Sequence, residues 1–195
     1  MPQRKRGRPT AQERAQRRDE ILDAAVRLFV SEGFHSVSLD DVAARARVTK
    51  RTIYAYFGSK TEIFLAAVER LRQRTLGLAG SEEDALADLA ARIVLALHSD
   101  EAIGLHRLMI IEAYTFTDLA QRFYQDGPES YIQALNERLP QPDLDRARAL
   151  FTLLLGEPHR QRLLALRPPP SPAGARAHAL EALRQLGLDG GVASS

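Results

Sequence analysis

The sequence predicts an all-α fold: an N-terminal three-helix bundle containing a helix-turn-helix, followed by a larger helical C-terminal half. Three observations carry this. Apolar residues recur at helical spacing along most of the 195 residues. Boxes of the form S/T-x-x-D/E, in which a hydroxyl and a carboxylate satisfy orphan backbone N–H groups, stand at Thr10/Glu13, Ser38/Asp41 and Ser59/Glu62. No β-hairpin signal, heptad array or internal repeat competes with them, and 45% apolar content argues against wholesale disorder.

The elements follow in order. Residues 1–9 read as a flexible basic arm. A first helix starts near Ala11, buries Ile21, Leu22, Ala25, Leu28 and Phe29, and stops at Gly33. Ser38 opens a second helix with an apolar stripe of Val42, Ala43 and Ala46. After Val48, Thr49 caps a third, whose exposed start carries Lys50, Arg51 and Thr52 while Ile53 and Phe57 turn inward. A fourth runs from Ser59 to about Arg74, with Ile63, Phe64, Ala67, Val68 and Leu71 inward, and Gly77 and Gly80 close it.

Ser81 with Asp84 starts the next helix, which reaches about His98 on Leu86, Leu89, Ile93 and Val94. Another covers roughly Glu101 to Tyr114. Thr115 with Asp118 suggests a new start and a helix to about Arg138, interrupted or kinked at Gly127-Pro128. A long helix spans about Asp143 to Leu166 and bends at Gly156 and Pro158. A stiff Pro-rich connector leads to a last helix from about Ala173 to Leu186, and the end of the chain reads as a disordered tail. The expected domains are an arm at 1–9, a DNA-binding domain at 10–58, a helical domain at 59–188 and a tail at 189–195.

Composition narrows function. With no cysteine, disulfides and thiolate metal sites are excluded, which suits a reducing cytoplasm. The five histidines are scattered without an HxH or HExxH pair, so neither metal nor cofactor is expected. No apolar run reaches membrane-span length and no apolar h-region follows the basic start, which points to a soluble, unsecreted protein with no membrane partner. No nucleophile–base constellation or phosphate-cradling glycine loop suggests an enzyme. The net charge of +2 divides unevenly, with +6 on residues 1–60 and −4 on the remainder. That suits a front segment that meets phosphate, and it equally suits an ordinary solvated surface with a basic tail.

A cationic, hydroxyl-bearing helix start on a small apolar platform is what a major-groove reader needs. Residues 18–66 resemble the DNA-binding domain of the TetR family of bacterial transcriptional regulators. The matching positions are Ile21, Ala24, Ala25, Leu28, Phe29, Gly33, Ser38, Val42, Ala43, Ala46, Val48, Thr49, Lys50, Thr52, Ile53, Tyr54, Tyr56, Phe57, Lys60 and Ile63. The runs Arg107–Phe116 and Leu119–Pro128 resemble the AefR-like class of C-terminal domains in that family. The resemblance implies a homodimeric repressor that sets two recognition helices on a palindromic operator in double-stranded DNA. It also implies a small, apolar effector whose binding shifts the fourth helix and releases the operator.

The residues assigned to DNA are Arg6, Arg8, Ser38, Arg47, Thr49, Lys50, Arg51, Thr52, Tyr54, Tyr56 and Lys60. Lys50 and Arg51 open the third helix, where a base or phosphate contact stands against a solvated surface role. Arg51 and Arg47 both stand where the family keeps glycine or another small residue. If the turn at Arg47 needs left-handed geometry, arginine there costs about 1–2 kcal/mol. Tyr54 and Tyr56 fit either core aromatics or phosphate contacts, Tyr54 being turned partly outward. Lys60 opens the fourth helix, where charge and dipole together favour phosphate. Ser38 fits a pure capping role as well as a shared phosphate site. In the arm, Arg6 and Arg8 flank Gly7 in R-G-R-P, the core of an AT-hook suited to the minor groove.

In the C-terminal half, Leu105, Met109, Tyr114, Phe116 and Phe123 either line an effector pocket or pack the core. The resemblance implies a dimer interface on the last two helices, assigned to Leu150, Phe151, Leu154, Leu180 and Leu183.

Overall fold

The computed structural model describes residues 10–77 and 86–188. The arm with Arg6 and Arg8, the Ser81/Asp84 start, Gly80 and the tail lie outside the described residues. Ten α-helices and one π-helical turn make up the described residues, without a strand. The chain divides into two compact units between Ala66 and Ala67.

In the first unit, α1 (Ala11–Glu32), α2 (Leu39–Arg45), α3 (Lys50–Tyr56) and the first residues of α4 (Lys60–Leu76) enclose one set of buried side chains. The Thr10 box is complete: the Thr10 N–H reaches Glu13 Oε2 at 2.7 Å and the Glu13 N–H reaches Thr10 Oγ1 at 3.1 Å. Gly33 ends α1 with φ +87°, a conformation that its missing Cβ permits. Ile21, Leu22, Ala25, Phe29, Val42, Ile53 and Ile63 are solvent-inaccessible. Phe34 bridges Phe29 and Phe64, with ring centroids 5.2 and 5.9 Å away. Because Ile63 and Phe64 complete this core, the division falls inside α4 rather than at its start, where the sequence placed the boundary.

The turn between α2 and α3 is a Schellman ending. The Val48 N–H bonds to Ala43 O at 2.9 Å and the Arg47 N–H to Ala44 O at 3.2 Å, which puts Arg47 in the left-handed region at φ +54°.

The second unit holds the rest of α4, α5 (Leu86–Leu97), α6 (Asp100–Glu112), α7 (Thr117–Tyr124), a π-helical turn (Gln125–Glu129), α8 (Ser130–Asn136), α9 (Leu144–Leu163) and α10 (Pro172–Gln185). Leu89, Ile93, Leu135, Leu150, Leu154 and Ala179 share its hydrophobic core. Ser99, Asp143 and Ser171 cap α6, α9 and α10 with their side chains. The expected Thr115/Asp118 start is corrected. Phe116 occupies the N-cap of α7 and offers no side-chain cap, so the helix begins one residue later than the box required.

Both proline breaks have a visible cause. Pro128 has no N–H for the carbonyl four residues back, and the chain absorbs this as a π turn in which the Ser130 hydroxyl bonds Gln125 O at 3.1 Å. In α9, Gly156 leaves helical geometry at φ +53°, ψ −158°, and Pro158 cannot donate to Leu154 O. That freed carbonyl accepts instead from the ring nitrogens of His98 at 3.1 Å and His178 at 3.0 Å. A second Schellman ending closes α9 with Ala165 at φ +59°.

Candidate nucleic-acid interface and the C-terminal cavity

The packing of α3 decides which of its side chains are available to a ligand. Ile53 is buried and Thr52, Tyr56 and Phe57 are half-buried, so Lys50, Arg51, Tyr54 and Ala55 form the opposite, solvent-facing side. Thr49 starts the helix by accepting the Thr52 N–H at 3.2 Å, and the two threonine hydroxyls share a 2.9 Å hydrogen bond. Tyr56 leans on Phe57, whose ring also carries the Arg18 guanidinium at 5.4 Å. Exposed Arg47 flanks the open face from the turn.

Lys50 is not an idle cation. Its ammonium donates to Asp40 Oδ2 at 2.7 Å, and that hydrogen bond, with the attached charge, raises its pKa above the ordinary lysine value. Asp40 is a neighbour that sequence reasoning missed; it sits on another helix ten residues back, and no helical spacing connects the two.

Two residues expected at DNA have other partners within the fold. Ser38 Oγ accepts the Asp41 N–H at 3.2 Å and lies 2.6 Å from Asp41 Oδ2 as its donor. Its one proton is therefore engaged, and the hydroxyl caps α2. Those bonds also hold the Asp41 carboxyl below the usual carboxylate range, which keeps a negative charge beside the hydroxyl. Lys60 donates to the carbonyls of Phe34 at 2.6 Å, Val37 at 2.9 Å and His35 at 3.2 Å, and stands 4.7 Å above the Phe34 ring. An ammonium has three donors. All three pin the loop before α2, so Lys60 is a structural fastener of the first unit.

The second unit contains a cavity of about 60 Å³ lined by Val68, Leu71, Leu97, Ala102, Leu105, His106, Phe123, Gly127, Pro128, Tyr131, Phe151, Leu155 and His159. Of the five residues expected at a pocket, Leu105 and Phe123 are on its wall. Met109 is buried elsewhere in the core, Phe116 caps α7, and Tyr114 is 96% exposed. Helical spacing alone did not reveal that the chain past α6 turns Tyr114 to solvent. The lining gains His106 from α6 and Phe151 and His159 from α9.

The dimer-interface assignment is corrected in the same way. Leu150, Phe151, Leu154 and Leu183 are buried in the core of their own unit; among the five only Leu180, 43% exposed, reaches the surface. Their apolar density reflects packing within the protomer.

Four of the five histidines converge, contrary to their scatter in the sequence. His159 stands 5.3 Å from His98 and 5.2 Å from His106, and His178 lies 6.0 Å from His98. Burial holds His98 and His159 neutral, lowering each pKa to about 4, and depresses His106 as well. No cluster able to hold a metal occurs among the described residues.

Family models match both units. Residues 21–67 match the bacterial regulatory proteins of the tetR family, and residues 84–186 match the AefR-like transcriptional repressor C-terminal domain. The chain belongs to the TetR family of bacterial regulatory proteins. It is thus a helix-turn-helix transcriptional regulator and not an enzyme, in a family whose members bind DNA and dimerise.

Among its TetR relatives, the transcriptional activator FasR of Mycolicibacterium smegmatis is 42% identical over 29% of this chain and 26% of its own length. The regulator SrpR of Pseudomonas putida is 27% identical over 68% of this chain and 63% of its own. The chain therefore spans less than two thirds of either protein. A TetR-family regulator from Mesorhizobium loti aligns over 91% of this chain and 97% of its own, with TM-score 0.69 and 25% identity. The flavonoid-responsive regulator FrrA aligns over 88% and 95%, with TM-score 0.64 and 25% identity. No described helix is long and apolar enough to cross a membrane.

Proposed function

We propose that this protein is a cytoplasmic homodimeric repressor that reads a palindromic operator with α3 and leaves it when a small, mostly apolar effector enters the C-terminal cavity. The observation that carries the reading is the open face of α3, where Lys50, Arg51 and Tyr54 stand clear of the core on a helix fixed by Ile53. Arginine and lysine are the side chains that most often read guanine in the major groove. Thr49, Thr52, Tyr56 and Arg47 border that face as phosphate contacts, and Arg6 and Arg8 supply minor-groove contacts. In a two-fold reader the half-sites lie about 34–36 Å apart, or a multiple of that.

Effector control is supported by the AefR-like match and by the cavity. At about 60 Å³ it is far smaller than the roughly 300–1,000 Å³ of ordinary ligand sites. An effector must therefore displace its walls, and Val68 and Leu71 of the continuous helix α4 are among them. Only an effector that favours the displaced state can shift the equilibrium. The flavonoid response in the name of FrrA makes flat aromatic molecules reasonable first candidates.

Selection of bound sequences from random duplexes tests the reading. It should yield an inverted repeat, and a candidate effector should abolish its recovery. Recovery of a single unrepeated half-site refutes the two-fold reader. Recovery unaffected by any effector leaves a ligand-blind regulator governed by abundance or a protein partner.

A further inference from the structure

The wall of the cavity combines an apolar body with two imidazoles that have no hydrogen-bond partner among the described residues. His159 is only 6% exposed, yet no described residue bonds either of its ring nitrogens, and the same holds for His106 beside it. This differs from His98, one ring further on, which donates to Leu154 O. A ring nitrogen on an apolar wall that no protein group bonds is left to a ligand or water.

The chemistry of that ligand can be read from the lining. Among the described residues it contains no Asp, Glu, Lys or Arg. A carboxylate would enter without a counter-charge, beside rings that burial keeps from protonating. A neutral imidazole presents one N–H donor and one bare acceptor nitrogen. Two such rings with centroids 5.2 Å apart can serve one hydroxyl, the bare nitrogen of one taking its proton and the N–H of the other meeting its lone pair. A ketone or ether uses only the donor, and a hydrocarbon uses neither. Phe123, Tyr131 and Phe151 add flat faces, with Tyr131 and Phe151 nearly parallel at 10°.

We infer that the cavity takes a neutral, flat, mostly apolar molecule bearing one hydroxyl, held by His159 and His106 as an acceptor–donor pair, with Phe123 and Phe151 against its ring. The inference rests on the effector reading for its regulatory meaning and on the cavity alone for its chemistry.

Three probes of nearly equal shape test it on the full chain without DNA: p-cresol, p-xylene and p-toluate, by calorimetry at pH 7.5. p-Cresol should bind at least about tenfold more tightly than the other two, a difference of about 1.4 kcal/mol. The ring-nitrogen signals of His159 in labelled protein should move with p-cresol and not with p-xylene. His159→Leu should remove the advantage of p-cresol and leave p-xylene binding as it was, while His159→Gln keeps part of it. Circular dichroism checks both folds, and the wild-type comparison stands without them. Tightest binding by p-toluate, equal binding of p-cresol and p-xylene, or no p-cresol binding at millimolar concentration overturns the inference. Operator release is measured separately. Binding of p-cresol without release by any ligand defeats the effector reading alone, and release by a ligand of another class without p-cresol binding defeats this inference alone.

Discussion

Replacing Arg47 with glycine separates two roles that the turn between α2 and α3 has merged. The Schellman bonds from Val48 to Ala43 and from Arg47 to Ala44 require a left-handed residue, and Arg47 sits at φ +54°. Holding a side chain there costs about 1–2 kcal/mol. Glycine removes that strain but adds about 0.5–1 kcal/mol of backbone entropy to be lost on folding. The net expectation for Arg47→Gly is a gain of about 0.5–1 kcal/mol, visible as a rise of roughly 2 °C in melting temperature for a chain of this size. If the guanidinium also meets phosphate, the same variant binds operator more weakly and its salt slope falls by about one unit. Arg47→Lys keeps charge and strain and should leave both nearly unchanged. Differential scanning calorimetry and a salt titration of operator binding provide the two readings. A lower melting temperature for Arg47→Gly would refute the strain argument, and an unchanged salt slope would refute the phosphate role.

The other expectations follow from individual contacts. Ala165→Gly, at φ +59° in the matching ending of α9, should stabilise the protein by a similar amount in chemical denaturation, without touching DNA affinity. Lys60→Met orphans the carbonyls of residues 34, 35 and 37 and should cost about 2 kcal/mol of stability, with operator binding lost only in proportion to unfolding. His98 and His159 have folded pKa values of about 4 against about 6.5 unfolded, so the unfolded chain binds more protons between those limits. Their stabilising effect is complete above pH 6.5 and is lost as pH falls toward 4, by roughly 2 kcal/mol for each at pH 5. Urea unfolding across this range should show the loss, and removing His159 should flatten it; equal slopes with and without His159 would contradict the assignment.

Local chemistry was the legible part of this chain. Capping boxes at Thr10 and Ser38 depend on residues three apart, and the breaks at Gly156 and Pro158 on single residues; both kinds are written in the sequence. The exposed start of the third helix was legible for the same reason, since buried Ile53 and open Lys50, Arg51 and Tyr54 lie within five consecutive residues of one helix. What depended on contact across the fold was not. Lys60 looked like a phosphate ligand because its partners are carbonyls more than twenty residues away, and carbonyls leave no trace in side-chain spacing. The helix of Leu150 and Leu154 looked like an interface because apolar density does not say which neighbour absorbs it, and the core of its own unit does. The histidines lay on different elements, so their convergence at the cavity had no local signature.

Base reading by the open face of α3 is what sets a sequence-specific regulator apart from a general DNA binder. Binding of Lys50→Ala and Arg51→Ala to a selected operator and to a scrambled duplex of equal length, at one fixed salt concentration, tests it most directly. At least one variant should lose roughly 10- to 100-fold on the operator and much less on the scrambled duplex, shrinking the specificity ratio. If both variants weaken the two duplexes equally, Lys50 and Arg51 supply charge without reading sequence, and if neither weakens either duplex, they do not meet DNA; both results contradict base reading by α3.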